Sequence, residues 1–389
     1  MSFVSPGTAA EYDVRARQGL EATFDTPATG VGRAPGRVNL IGEHTDYNRG
    51  LVLPVALPHA TYAAAARREG TRFRIASAQQ SEVWTGALGD AAPGRVTGWA
   101  AYAAGVVWAL SEAGFQTPPM DVYIDTSVPL GAGLSSSAAI ECAVAMAVLG
   151  VTDVDLDDDV RRLVVEATIR AETEVAGAPT GGMDQTVSVF AAEGQAVLID
   201  FDDDSHTAIP LPADDHVLLV TDSRVTHTLV DGGYAARRAD CEEAAAALGL
   251  PSLRAATVAD VEQLPDARIR ARARHIVTEL DRVTATVAAL EHQDWARLGE
   301  LFAASHASMR DDFEISTPEL DLSVATAVEA GAVGARMTGG GFGGSSVAIV
   351  PTDRVDGVAR AIDVAYAAAG HPSPAHLLAT PSGGANYLG

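Results

Sequence analysis

Val128-Pro129-Leu130-Gly131-Ala132-Gly133-Leu134-Ser135-Ser136-Ser137-Ala138-Ala139 continues as Ile140-Glu141-Cys142-Ala143-Val144-Ala145-Met146-Ala147-Val148-Leu149. Ahead of it, Val122, Ile124 and Val128 alternate with Tyr123 and Asp125, which reads as a strand. Behind the serines an alanine-rich apolar run reads as a helix. Gly131 and Gly133 permit a tight turn and a close approach to the backbone. Ser135, Ser136 and Ser137 open the helix, where backbone N–H groups lack intrahelical partners. Free donors, hydroxyls and the positive end of the helix dipole together favour an anion, and phosphate fits. A plain strand–turn–helix corner with serine caps would use the same residues.

All 27 basic residues are arginine, because the chain contains no lysine. A Walker A loop and the ATP site of a protein kinase both need a lysine. Any phosphate chemistry here uses neither.

At 389 residues the chain is long enough for two domains. The acidic run Asp202-Asp203-Asp204 marks the expected boundary near residue 205, dividing 1–205 from 206–389. A net charge of −24 disfavours nucleic acid and anionic membranes as partners. Cys142 and Cys241 are scattered, with no metal-ligand spacing, which points to a reducing compartment. The first residues lack a signal-peptide layout, so the cytoplasm is expected.

Arg33 to Leu57 is the densest polar cluster, with Glu43, His44, Thr45, Asp46, Tyr47 and Asn48 between two apolar segments. Those segments, Val38 to Ile41 and Leu51 to Val55, read as strands. So many donors and acceptors in one loop suit a polyhydroxylated ligand, although an exposed hairpin would also be polar. A helix is expected from about 11 to 24, and β-hairpin material over 60–84. A further helix runs from Trp99 to about Leu110, with Trp99 and Tyr102 on one face, as core residues or as an adenine wall.

The spacing predicts a helix over 158–176 bearing Glu172, then Gly177 to Gly182 and Asp184. Asp184 could accept a proton from a substrate hydroxyl or cap the following helix. Strands are expected at 196–201 and 216–222, and helices at 232–248, 255–290 and 294–310. Five glycines between Gly339 and Gly344, interrupted only by Phe342, precede the strand Val347 to Val350. That density implies a backbone which something approaches closely.

Three separated segments together resemble the small-molecule kinases of the galactokinase, homoserine kinase, mevalonate kinase and phosphomevalonate kinase superfamily. They are Gly36 to Asn48, Pro129 to Ala139 and Gly339 to Gly344. The first is close to a galactokinase signature, and two other segments are similar to that family: Asp222 to His227 with Tyr234 to Arg238, and Ser305 to Asp321. The resemblance covers nearly the whole chain. It implies an α+β fold of two domains, the first like ribosomal protein S5 and the second ferredoxin-like, with the site in the cleft between them.

By the same resemblance, Glu43, His44, Thr45, Asp46, Gly182, Asp184 and Tyr234 would hold galactose. Gly131, Ala132, Gly133, Leu134, Ser135, Ser136 and Ser137 would embrace the phosphates of ATP. Ser137 and Glu172 would hold Mg²⁺, Asp184 would be the base and Arg37 would steady the phosphoryl group. Ser77, Trp99 and Tyr102 would border adenine. The implied reaction is phosphorylation of α-D-galactose at C1 by MgATP, in a monomer or weak dimer with no protein partner.

Two related readings are a kinase of N-acetylgalactosamine or arabinose, and a galactose sensor. A sensor is expected to lose part of the segment Ser135 to Ala138, which is intact here. The chain also departs from the family at Ala101 and Ala104, where Asn and a basic residue are common, and at Ser345, where a cysteine is common.

Overall fold

The computed structural model describes residues 3–211, 215–226 and 230–388. Helix α1 (Ala9–Phe24) starts at a capping box made by Thr8 and Glu11. Strand β1 (Gly30–Asn39) leads to the polar loop, and β2 (Leu51–Val52) and β3 (Pro54–Arg67) leave it. Next come β4 (Arg72–Ser77), β5 (Trp84–Ala87), α2 (Trp99–Glu112), β6 (Met120–Thr126) and α3 (Ser136–Val151). Helix α4 (Asp158–Arg170) is capped by Asp157 and runs into a π-helical turn at Ala171–Ala176. Helix α5 (Met183–Phe190), β7 (Gln195–Asp200) and β8 (Ser205–Pro210) complete this part.

β1 is longer than its apolar residues suggested. Gly30 to Gly36 is rich in Gly and Pro and reads poorly as strand, yet it pairs with β3 from Gly30↔Ala65 to Asn39↔Pro54. Tertiary contact explains the choice of residue. A Cβ on Gly32 would stand 2.0 Å from the Ala143 carbonyl oxygen of α3, so helix and strand touch backbone to backbone. The alanine-rich face of α3 allows that approach.

The second part begins with β9 (His216–Thr226) and α6 (Val230–Ala247). The stretch expected as one helix over 255–290 is broken: α7 (Val258–Val261) ends before Pro265, and α8 (Ala267–Glu291) starts at the Asp266 cap. Proline supplies no N–H and disfavours helix at the residue before it. Helices α9 (Trp295–Asp311) and α10 (Pro318–Glu329) follow, then β10 (Gly334–Thr338), β11 (Gly343–Pro351), α11 (Val355–Ala369), β12 (Ala375–Leu378) and β13 (Asn386–Leu388).

Among the described residues the strands form three sheets. The six-stranded sheet, β13-β1-β3-β6-β4-β5, packs α1 on one face and α2 and α3 on the other. The four-stranded antiparallel sheet is ordered β10-β11-β9-β12. Read along the chain this is strand, helices, two strands, helix, strand, the split βαβ arrangement of a ferredoxin-like domain. A small sheet, β2-β7-β8, lies between. Both parts are α+β, as expected.

The division expected at residue 205 falls at the turn of the β7–β8 hairpin, and β13 returns to the first sheet. One buried cluster joins Val38, Leu40 and Leu53 to Val220, Val283, Phe302 and Val347, so the two parts share a core. His227 lies outside the described residues.

Gly32→Val should lower the urea midpoint, costing about 3 kcal/mol or more by forcing α3 off β1. Gly357→Ala in α11, where an added Cβ meets nothing within 4 Å, should raise it by about 0.5 kcal/mol.

Candidate active site

The stretch between β6 and α3 folds as a loop whose backbone changes hand repeatedly. Gly131 (φ 75°), Gly133 (φ 73°) and Ser135 (φ 58°) are left-handed, and the residues between them are not. Such alternation turns successive N–H groups toward one side and makes an anion-binding concavity. Ser135 is the helix cap, but its hydroxyl does not bond the helix. It donates instead to the Asp184 carboxylate.

Asp184 lies in the first turn of α5 and does not cap it; Gly182 occupies the cap position. Arg37 from β1 grips Asp184 with a two-pronged fork, Nε to Oδ1 and Nη2 to Oδ2, both 2.8 Å. Its third prong, Nη1, donates to the Gly133 carbonyl at 2.7 Å. Strand β1, the loop before α3 and the first turn of α5 are therefore fastened at one guanidinium. The buried Ser345 hydroxyl adds a second fastening, donating to the Ala132 carbonyl at 2.7 Å. The glycine-rich turn rests on the same loop, since a Cβ at Gly339 would stand 3.2 Å from the Gly133 carbonyl oxygen.

A cavity of about 770 Å³ opens here, lined by Arg37, Glu43, His44, Asp46, Ser137, Glu172, Asp184, Tyr234, Arg238 and the backbone of 339–342. Glu172 projects from the π-helical turn, a distortion frequent at functional sites. Burial and the nearby Asp184 charge push it up to about 7, against hydrogen bonds from Ser137 and Gln185. Gln185 Nε2 is 2.5 Å from Glu172 and 3.0 Å from the fully buried Glu141. Burial, with the Glu172 charge, pushes Glu141 well up too.

The polar loop is held by a second set of charges. Arg336, fully buried on β10, ion-pairs with Glu43 and lies 3.4 Å from Glu279. It also donates to the Leu40 carbonyl at 2.8 Å. Burial raises Glu43, with Arg336 opposing. Burial would raise Glu279 as well, but Arg282 and Arg336 hold it down to about 2. Glu43 Oε1 accepts from Thr338 and from the Gly339 N–H, both at 3.2 Å. Three partners thus fix the Glu43 carboxylate at the cavity wall, counting the pair with Arg336.

His44 has a left-handed backbone (φ 64°) and both ring nitrogens engaged, with Tyr47 at 2.8 Å and the Gly340 carbonyl at 3.1 Å. The carbonyl can only accept, so Nε2 carries the proton and Nδ1 accepts from Tyr47. Its ring packs against Tyr234 at 5.0 Å. Asp46 faces the cavity, and burial, reinforced by the Asp184 charge, raises it to about 6.

The expected residues divide accordingly. Arg37, Glu43, His44, Asp46, Ser137, Glu172, Asp184 and Tyr234 meet at one cavity, and Gly133 and Ser135 bond to its walls. Thr45 does not reach it; its buried hydroxyl faces the carbonyls of Leu51 and Gly42. Gly182 (φ 96°) caps α5 and does not line the cavity, and Gly181 passes so close to Asp46 that a Cβ there would stand 2.0 Å from its carboxylate. Ser77, Trp99 and Tyr102 do not line the cavity: Ser77 bonds Gln79, Trp99 packs on the first core, and Tyr102 feels the charges of Glu172 and Glu141.

Sequence reading gave no part to Arg336, Glu279 or Gln185. Glu141 carried a signal, as the one acid in an otherwise apolar helix. Among the described residues no three of His, Cys, Asp and Glu form a metal cluster by themselves.

An anion loop facing a carboxylate and an arginine, in a cleft between two α+β domains, defines the class: this is a GHMP kinase. The N-terminal domain of GHMP kinases matches residues 101–192 and their C-terminal domain 286–368. The galactose-binding signature of galactokinases matches residues 19–67. Galactokinase of Streptomyces coelicolor is 47% identical over 368 residues, covering 92% of this chain and 94% of that protein. The Mycobacterium tuberculosis enzyme is 46% identical over 350 residues, covering 88% and 94%.

The crystal structure of Lactococcus lactis galactokinase complexed with galactose superposes with a TM-score of 0.90 at 28% identity, covering 96% of this chain and 98% of that one. Mevalonate kinase, at a TM-score of 0.67 and 15% identity, shares the fold and covers 90% of this chain and 98% of its own. The chain belongs to the galactokinase family.

Burial pushes His44 down to about 3, and His275 and His306 to about 4. Unfolded imidazoles bind protons below about pH 6.5, whereas these three do so only near pH 4 or lower, so each subtracts stability as pH falls through that window. Their NMR ring shifts should stay flat from about pH 8 to about pH 5.5.

Proposed function

We propose that the chain is a galactokinase, transferring the γ-phosphoryl of MgATP to the C1 hydroxyl of α-D-galactose to give α-D-galactose 1-phosphate and ADP. One observation carries the assignment of roles: Asp184 and Arg37, distant in sequence, pair at the mouth of the 131–137 loop. Phosphoryl transfer asks a protein mainly for positioning and for neutralisation of charge. This geometry offers both without lysine.

In this reading Asp46, Glu43 and Tyr234 receive the sugar hydroxyls, while His44 and Thr45 hold the loop in shape. Asp184 takes the C1 proton. A loose transition state forms little bond to the attacking oxygen until late, so the proton need not leave early. Arg37 orients Asp184 and faces the charge on the moving phosphoryl. The loop N–H groups from Gly131 to Ser137 cradle the remaining phosphates.

Ser137 and Glu172 fit Mg²⁺: they are adjacent hard oxygen donors in a buried site whose carboxylates outnumber its local cations. A magnesium ion normally adds phosphate and water oxygens to one or two carboxylates, and it would neutralise phosphate charge there. Border roles at adenine for Ser77, Trp99 and Tyr102 rest on the family resemblance alone. Among the described residues no helix is long and apolar enough to cross a membrane. The two unpaired, buried cysteines suit a reducing compartment, and we infer that the enzyme works in the cytoplasm.

A sugar panel read by ADP release tests the assignment. Galactose should be preferred over N-acetylgalactosamine and arabinose; no turnover with galactose would remove the proposal. Asp184→Ala should lower kcat by about 10³-fold while MgATP still binds. Arg37→Ala should lower kcat more than it raises the KM for galactose.

Asp46 gives a pH signature. Its carboxylate, ionised above about 6, is the better acceptor, so galactose binding should weaken as pH falls through 6. Calorimetry should find that dependence flattened in Asp46→Asn.

A further inference from the structure

Glu141 is the one acid in the apolar helix α3, and it is fully buried. An acid there is costly unless it is used. Its single hydrogen-bond partner among the described residues is the Gln185 amide, at 3.0 Å. That same amide nitrogen is 2.5 Å from Glu172 Oε2. An amide NH₂ has two hydrogens, and the two carboxylates use one each. Gln185 is itself fully buried and follows Asp184 on α5, so its backbone is placed by the same helix turn that carries the Arg37 fork.

Three further details point the same way. Glu141 Oε1 and Gln185 Oε1 are buried without a hydrogen-bond partner, so the cluster is not built for stability. Glu172 stands on a π-helical turn, a distortion frequent at functional sites. And the two acids share one neutral amide beside the cavity.

We propose that Glu141 is a positioning residue: it holds the Gln185 amide, which holds the Glu172 carboxylate in the orientation that a divalent cation bound with nucleotide requires. This rests on the reading of Glu172 as a Mg²⁺ ligand. Glu141 itself touches neither cation nor substrate. Removing it frees Gln185 to rotate, and Glu172 is then left with Ser137 as its hydrogen-bond partner. The loss falls on the cation and not on the sugar, which meets Glu43, Asp46 and Tyr234 on the other wall.

Mn²⁺ reports on the site without turnover. The free ion is measured by electron paramagnetic resonance in titrations of the enzyme with ADP present. Glu141→Leu should weaken Mn²⁺ binding about tenfold, the usual size of such outer effects. Glu141→Gln keeps an acceptor for the Gln185 amide and should restore affinity to within about threefold of wild type. Galactose affinity by calorimetry should be unchanged in both. Gln185→Met breaks the chain at its middle link and should match Glu141→Leu, which keeps the test open should Glu141→Leu fail to fold.

A folded Glu141→Leu with wild-type Mn²⁺ affinity would overturn the proposal. Equal losses of Mn²⁺ and galactose affinity would overturn it as well, since a general disturbance of the fold moves both. Wild-type Mn²⁺ affinity in Glu172→Gln would instead remove the metal assignment itself, and the positioning role with it.

Discussion

The fork between Arg37 and Asp184 is the constraint on which the rest depends. It ties β1, the turn before α3 and the first turn of α5 at one point, with side-chain exposures of 8% and 20%. Removing one member of so buried a pair leaves the other uncompensated, at a cost of about 3–5 kcal/mol. The pair is therefore a fixed feature, and the cavity is shaped around it. Ser135 adds a third donor to Asp184, which leaves its carboxylate one free acceptor direction. A chain of net charge −24 can still take a polyanionic nucleotide because the donors are local and directed.

A second ionic ladder, from Arg282 through Glu279 and Arg336 to Glu43, does for the polar loop what the fork does for the phosphate loop. It crosses between the two halves, joining α8 and β10 to the loop that follows β1. The glycine-rich turn lies between the two devices. Gly339 donates to Glu43 on one side and rests on Gly133 on the other. Phe342 (φ 60°) joins His44 and Ser135 as a site residue in a left-handed conformation, and strain of this kind gathers where geometry is set by function. The two ligand loops are thereby indexed to each other through β10 and its turn, not merely brought near.

Much of this was legible in the chain because its signals are local. The serine triplet after two glycines announces a helix entry whatever packs around it, and α3 begins at Ser136 as that reading requires. Asp184 was open between base and cap on sequence alone; the cap reading fell once α5 proved to be capped at Gly182, with Asp184 bonded to Arg37, 147 positions away. Long-range partners also explain what was missed. Gly30 to Gly36 became strand because α3 packs on it, and Arg336 gained importance from Glu43, 293 residues earlier, which no pattern near it announces. Thr45 misled for the opposite reason, since a hydroxyl in a ligand loop reads as a contact until the carbonyls of Gly42 and Leu51 are seen to claim it.

A crystal structure of the enzyme with galactose and a non-hydrolysable ATP analogue tests the central claim most directly. The account predicts the C1 hydroxyl oxygen within hydrogen-bond reach of Asp184, about 2.6–3.2 Å, with the γ-phosphorus in line beyond it and Arg37 beside both. A sugar seated with another hydroxyl at Asp184, or a nucleotide whose phosphates miss the 131–137 turn, would contradict it.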